Sequence, residues 1–85
     1  MRRVYKYPVP LNSQIFHIKM PAHGEIVRVG FQNSELFMWA VVDVEEANSE
    51  RKFIMFGTGQ DISPRCRYVA TYDHGPLVIH IFEEL

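Results

Sequence analysis

The chain has 85 residues and a mass of 10.0 kDa, which is enough for one domain with one small core. Hydrophobic residues make up 47% and charged residues 22%, a composition typical of a folded rather than a disordered chain. Nine Lys and Arg against ten Asp and Glu give a net charge of −1. This balance argues against a binder of duplex DNA or RNA and against a polybasic membrane-surface protein, because both need a basic surplus.

Cysteine usage and the absence of long apolar runs indicate the compartment. A single cysteine, Cys66, can form no internal disulfide and no Cys-rich zinc cluster. The charged start of the chain lacks the apolar stretch of a signal peptide, and no run approaches the length of a membrane span. We therefore expect a protein of a reducing cytoplasm that makes no membrane contact.

Turn residues interrupt the sequence at short intervals, and the segments between them are rich in β-branched and aromatic residues. The predicted strands, in chain order, are about 4–7, 15–20, 25–31, 36–43, 52–56, 67–72 and 77–82. Residues 32–35 predict a hairpin turn, whereas the polar stretch 45–51 predicts either a helical turn or an exposed, mobile loop. Seven short strands with almost no helix favour one all-β domain over residues 1–85, an antiparallel sandwich or a small barrel.

The fourth predicted strand carries apolar residues on both faces. Met38 and Ala40 alternate with Phe37 and Trp39, whereas an antiparallel strand of a small monomer normally has one polar face. A chain of this length has too little material to cover both faces, so we expect the second face to meet another copy of the chain or a ligand. The alternative is a closed barrel that covers itself.

A glycine-containing turn follows the fifth predicted strand. Successive backbone N–H groups of Gly57, Thr58, Gly59 and Gln60 could donate hydrogen bonds to an anion. The spacing of a phosphate-binding P-loop is absent. The simpler interpretation is a strand-ending turn that needs a positive φ at one or both glycines.

The histidines and potential nucleophiles predict neither a metal site nor an enzyme. None of the four histidines has metal-ligand spacing, and no nucleophile elbow occurs. His80 stands apart because it lies mid-strand between Ile79 and Ile81, where it is either a hydrogen-bonded structural residue or a ligand contact. The alternation of Cys66 with Tyr68 and Ala70 predicts an inward, inert thiol. We expect no catalytic residue, no metal and no cofactor.

Aromatic and basic residues suggest a different kind of site. Trp39 and Tyr72 could stack on a planar ring, and Arg28 and Arg67 could bind phosphate beside them. Because the chain has no basic surplus, a small anionic aromatic ligand fits this set better than a polynucleotide. Core aromatics and surface arginines are the alternative interpretation of each residue taken alone.

A series of motifs resembles one known family. They are Trp39-Ala40-Val41-Val42-Asp43, Gly57-Thr58-Gly59, Tyr68-Val69-Ala70-Thr71 and Gly75-Pro76-Leu77-Val78-Ile79-His80-Ile81-Phe82. In this order they are similar to short phage-encoded proteins catalogued as a domain of unknown function. The resemblance implies a phage or prophage origin and action in the cytoplasm of the bacterial host. Small, early, non-enzymatic phage proteins often act against host defence, and one class of them resembles compact oligomers that sequester the cyclic nucleotide signals of antiphage immunity. We expect this chain to belong to that class.

Three functions are compatible with these residues. The first is a homo-oligomeric sponge for a cyclic nucleotide, with stacking by Trp39 and Tyr72, and with phosphate contacts from Arg28 or Arg67. The second is an inhibitor that binds a host defence protein through an exposed strand edge or the apolar hairpin. The third is a small phosphodiesterase with His80 or His17 as general acid or base. We expect the first.

Overall fold

A computed structural model describes residues 1–85. Its seven strands agree with the predicted ones to within a few residues at each end. They are β1 (Arg2–Pro8), β2 (Ile15–Pro21), β3 (Glu25–Gln32), β4 (Glu35–Asp43), β5 (Asn48–Gly57), β6 (Cys66–His74) and β7 (Leu77–Glu84). No helix long and apolar enough to cross a membrane occurs in the structure.

The strands form two antiparallel sheets that pack face to face. Sheet A has the order β1-β4-β3, and sheet B has the order β2-β5-β7-β6. The predicted all-β fold is confirmed, and of its two architectures the structure has the sandwich. The central strands β4, β5 and β7 supply fully buried residues, among them Met38, Phe53 and Ile81, because a central strand is covered on its inner face along its whole length.

The alternation predicted for β4 is the pattern observed. Leu36, Met38, Ala40 and Val42 are 0–2% exposed and face sheet B, while Phe37, Trp39 and Val41 are half-buried on the outer side. Sheet A therefore has an outer face with aromatic residues at its centre.

Sheet B is crossed on its outer side by the chain itself. β5 and β6 both lie next to β7 but not next to each other, so residues 58–65 must cross β7 to connect them. Sheet A occupies the inner side, so this segment passes on the outer side. Phe56 points outward from β5 and is nevertheless only 8% exposed. The outer face of sheet B is thus partly covered by the chain.

Two β-bulges overturn two predicted side-chain orientations. Strict alternation along residues 25–31 predicts that Val27 and Val29 share one face. The register of β3 against β4 shifts between Ile26 and Arg28, however, and Val27 is 54% exposed while Val29 packs against the core. The register of β6 against β7 shifts between Tyr68 and Ala70. Tyr68 therefore lies outside and is 56% exposed. Cys66 pairs with Glu84 on the outer face, so its predicted inward orientation is wrong.

The polar stretch 45–51 is partly a strand, and the predicted turns lie where the sequence places them. Residues 48–51 belong to β5, so the helical turn or mobile loop predicted there is wrong. The Gln32–Glu35 hairpin is confirmed, with φ of 52° at Asn33 and 68° at Ser34. Of the two glycines predicted to need a positive φ, Gly59 has one, at 93°.

Gly24 lies against the core, and this contact gives a first prediction. A Cβ added to Gly24 would lie 2.9 Å from Met20 Sδ and 3.1 Å from Val42 Cγ1, both on buried side chains. Gly24→Ala is therefore expected to lower the free energy of unfolding by about 1–3 kcal/mol. The matched control is Gly57→Ala, whose Cβ would come no closer than 3.7 Å to Gln60. Urea denaturation measures both; equal midpoints for the two variants would contradict the prediction.

Candidate functional site

The outer face of sheet A brings together aromatic and cationic side chains; we call it the aromatic face. Cross-strand pairing places Lys6 of β1 and Arg28 of β3 on either side of Trp39 in β4. Phe37 lies two residues along β4, with its ring centroid 6.0 Å from that of Trp39. The aromatic face comprises Val4, Lys6, Arg28, Gly30, Gln32, Phe37, Trp39 and Val41.

Each cation of this face lies over a ring. The Arg28 guanidinium carbon is 5.1 Å from the Trp39 ring centroid, and Lys6 Nζ is 4.4 Å from that of Phe37. Lys6 also donates a 2.9 Å hydrogen bond to Gln32 Oε1. Neither cation forms a salt bridge. Each cation is therefore positioned by a cation–π contact. Because no carboxylate neutralises it, its charge is available to an anionic ligand.

The outer face of sheet B carries a chain of hydrogen bonds centred on His80. Its Nε2 lies 3.0 Å from Thr58 Oγ1 and its Nδ1 lies 3.0 Å from Thr71 Oγ1. Thr71 Oγ1 is also 2.9 Å from the Tyr68 hydroxyl. Both ring nitrogens are thus occupied by hydroxyls, which fixes the imidazole and connects the crossover segment to the sheet. Of the two interpretations of His80, this geometry favours the hydrogen-bonded structural residue.

The predicted glycine turn borders a cavity at one end of the sandwich, which we call the end cavity. It measures about 430 Å³, and Gly57, Gln60 and Tyr72 are among its lining residues. The Gln60 carboxamide accepts a 2.6 Å hydrogen bond from the Gly57 N–H, so the turn is closed by its own side chain. Tyr72 is 8% exposed and packs edge-to-face with Phe31 at 5.9 Å. A buried ring offers no open face, so we assign no stacking role to Tyr72.

Arg67 belongs to an ion cluster at the other end of the sandwich. Glu83 receives hydrogen bonds from Arg51 at 2.6 and 2.7 Å and from Arg67 at 2.8 Å. Arg51 is the largest cause that holds the pKa of Glu83 below its ordinary value; Arg67 contributes less, and burial opposes both. From the sequence, the adjacent carboxylates Glu83 and Glu84 are expected to form a solvated end of the chain. Glu83 is only 7% exposed, so this expectation is wrong for Glu83.

The comparisons with known proteins place the chain in a family. A family profile described as a domain of unknown function, DUF7352, matches residues 1–85. The chain belongs to this family. The resemblance to an uncharacterised domain family is therefore confirmed over the whole sequence. Neither the curated proteins nor the solved structures contain a match to this DUF7352 chain.

The predicted ligand-binding residues of this DUF7352 domain do not form one site. Trp39 and Arg28 meet on the aromatic face. Thr58 and His80 meet on the opposite outer face, with Gly59 in the adjoining turn. Gly57, Gln60 and Tyr72 line the end cavity, and Arg67 forms a salt bridge with Glu83. Only the first pair combines a half-buried ring on an outer face with a cation that forms no salt bridge.

Sequence reasoning missed several neighbours of the predicted residues. Lys6, Gln32 and Phe37 complete the aromatic face of the DUF7352 domain, and Tyr68 and Thr71 complete the His80 chain. The register of the β3–β4 hairpin could have shown that Gly30 lies opposite Phe37. Lys6 reaches the face through β1–β4 pairing, which joins distant parts of the chain. No group of three or more His, Cys, Asp or Glu side chains is arranged to hold a metal ion.

Proposed function

We propose that the protein binds and sequesters a small nucleotide signal of the cyclic-dinucleotide class, without catalysis and as a homo-oligomer. In this proposal it acts for a phage against the immunity of the bacterial host. The observation that carries the proposal is the aromatic face, where two cations free of carboxylate partners lie over two neighbouring rings. A nucleotide offers the complementary groups: its phosphate would draw the Arg28 guanidinium off the Trp39 ring, and its base would stack on the ring face freed in this way.

The shape of the aromatic face supports the oligomeric part of the proposal. It is the outer side of a three-stranded sheet, and its central residues Phe37, Trp39 and Val41 are half-buried on a single chain. One copy can therefore contact only one side of a planar ligand. A second copy that presents the same face would enclose the ligand between two aromatic faces. It would also bury Val4, which is 58% exposed, together with the half-buried rings. Its Lys6 and Arg28 would bring two more positive charges to a doubly charged signal.

The direct test is a retention experiment on the purified chain. The protein is incubated with a panel of cyclic di- and trinucleotides, free ligand is removed, the protein is denatured, and the released nucleotide is chromatographed. We expect one intact nucleotide in stoichiometric yield. Release of a linear or shortened product would overturn the proposal in favour of a phosphodiesterase.

A second function is favoured by one feature of β1. This strand is an edge of sheet A, and it exposes Val4 by 58% and Tyr5 by 37%. An extended segment of a host defence protein could add to that edge by backbone hydrogen bonds. Retention of no nucleotide, together with co-purification of one stoichiometric host protein, would favour this inhibitor over the sponge.

A further inference from the structure

The end cavity is a second candidate site, separate from the aromatic face. Its volume of about 430 Å³ lies within the range of about 300–1,000 Å³ typical of small-molecule sites. The 12 lining residues include no Lys, Arg, Asp or Glu, and half of them are hydrophobic. Leu11 and Leu77, both in this lining, are 41% and 57% exposed. Such a lining suits an uncharged ligand that combines apolar faces with polar edges.

Tyr72, one of the residues that line this cavity, carries a hydroxyl without a strong hydrogen-bond partner. The residue is more than nine-tenths buried, and its only hydrogen bond goes to Met55 Sδ at 3.5 Å. A thioether sulfur is a weak acceptor, whereas a buried tyrosine hydroxyl normally finds a nitrogen or oxygen partner. Both Tyr72 and Met55 line the cavity. A tyrosine hydroxyl is protonated and can donate at neutral pH, and burial raises the pKa of Tyr72 further.

Amide side chains around the cavity have free hydrogen-bonding capacity. Gln60 uses its oxygen to accept the Gly57 N–H, and its NH₂ group makes no hydrogen bond within the protein. Asn12 and Gln14 line the same cavity, and neither makes a side-chain hydrogen bond within the protein. Carboxamides pair with the alternating donors and acceptors at the edge of a heteroaromatic ring.

From these observations we infer that the end cavity binds an uncharged, planar heteroaromatic ring of the nucleobase class, with a ring acceptor bonded to the Tyr72 hydroxyl. Leu11, Leu77 and Ile79 would cover the ring, and Gln60 or Asn12 would pair with its edge. The site shares no residue with the aromatic face, so the inference does not rest on the function proposed above.

The test uses free adenine and free uracil as probes, because both are uncharged at pH 7. The bases are titrated into ¹⁵N-labelled full-length protein. We expect saturable shifts of the backbone amides of residues 11–14 and of Gln60 with at least one base. Tyr72→Phe loses only the weak bond to sulfur and should fold, yet it should bind that base about three- to tenfold more weakly.

Two controls keep this test specific. Tyr68→Phe removes a tyrosine hydroxyl from the outer face of sheet B and should leave base binding unchanged. Trp39→Ala alters the aromatic face and should also leave it unchanged, so the inference and the proposed function can fail separately. The inference is overturned if neither base gives saturable shifts at these residues up to its solubility limit, or if Tyr72→Phe binds as tightly as the native protein.

Discussion

Arg51→Met is expected to lower the free energy of unfolding by about 3–5 kcal/mol, the usual cost of removing one partner of a buried ion pair. The Arg51 and Glu83 side chains are only 14% and 9% exposed. Methionine replaces the volume of the arginine stem but leaves Glu83 with Arg67 alone, whose side chain is 61% exposed. The Gly24 carbonyl would also lose the 2.6 Å hydrogen bond from Arg51. Urea denaturation measures the loss.

Arg67→Met is the matched control for this prediction. It removes the other partner of Glu83, but from a solvated position, so the expected loss is below about 1 kcal/mol. The double variant Arg51→Met/Glu83→Leu should recover much of the stability, because it leaves no buried charge unpaired. The pKa of the Glu83 carboxyl, followed by NMR, should rise in Arg51→Met. Equal losses from Arg51→Met and Arg67→Met would refute this account of the cluster.

Alternating apolar residues made the strands of this chain predictable. In β4, Met38 and Ala40 alternate with Phe37 and Trp39, and this period of two is the same in sequence and structure. A hairpin turn also fixes the register of its two strands, so the residues that face each other across the hairpin can be predicted as well. Pairing Gln32 with Glu35 places Arg28 opposite Trp39, and pairing His74 with Leu77 places Thr71 opposite His80. The central contacts on both outer faces were therefore accessible from local sequence.

The bulges and the buried ion pair were not accessible in this way. A bulge adds one residue to one strand and reverses every side-chain orientation beyond it, and nothing in the sequence around Val69 marks that insertion. Arg51 lies in a polar stretch without alternation, and its partner Glu83 lies near the end of the chain. They meet because β5 pairs with β7, a contact between distant segments that no local pattern specifies.

The predicted site residues lie in separate places for the same reason: contacts between distant segments decide where each residue lies. A set chosen by chemical type, such as Trp39, Tyr72 and Arg67, ignores which sheet and which face each residue occupies. The structure places these three on the aromatic face, at the end cavity and in the ion cluster. The chain passes from one sheet to the other between β1 and β2, between β2 and β3, and between β4 and β5. Neither closeness in sequence nor similar chemistry therefore determines on which face of the sandwich a residue lies.

Trp39→Ala is expected to weaken binding of the cyclic nucleotide retained in highest yield by about tenfold or more. Stacking of a base on an aromatic side chain is worth about 1–3 kcal/mol, and the substitution also removes the ring that holds Arg28 over the face. Arg28→Gln keeps the ring and removes the charge, so it should weaken binding through the loss of charge-assisted hydrogen bonds to phosphate. Isothermal titration calorimetry measures both variants.

Tyr68→Ala is the control for the aromatic face, because Tyr68 is an exposed aromatic residue, 56% accessible, on the opposite side of the sandwich. It should leave the affinity unchanged. Trp39 is half-buried, so its variant must first show a native circular dichroism spectrum and a cooperative urea transition. If a folded Trp39→Ala protein binds the nucleotide as tightly as the native chain, the aromatic face is not the binding site. If Trp39→Ala and Arg28→Gln both weaken binding and Tyr68→Ala does not, base stacking is assigned to Trp39 and phosphate binding to Arg28, the two members of one cation–π pair.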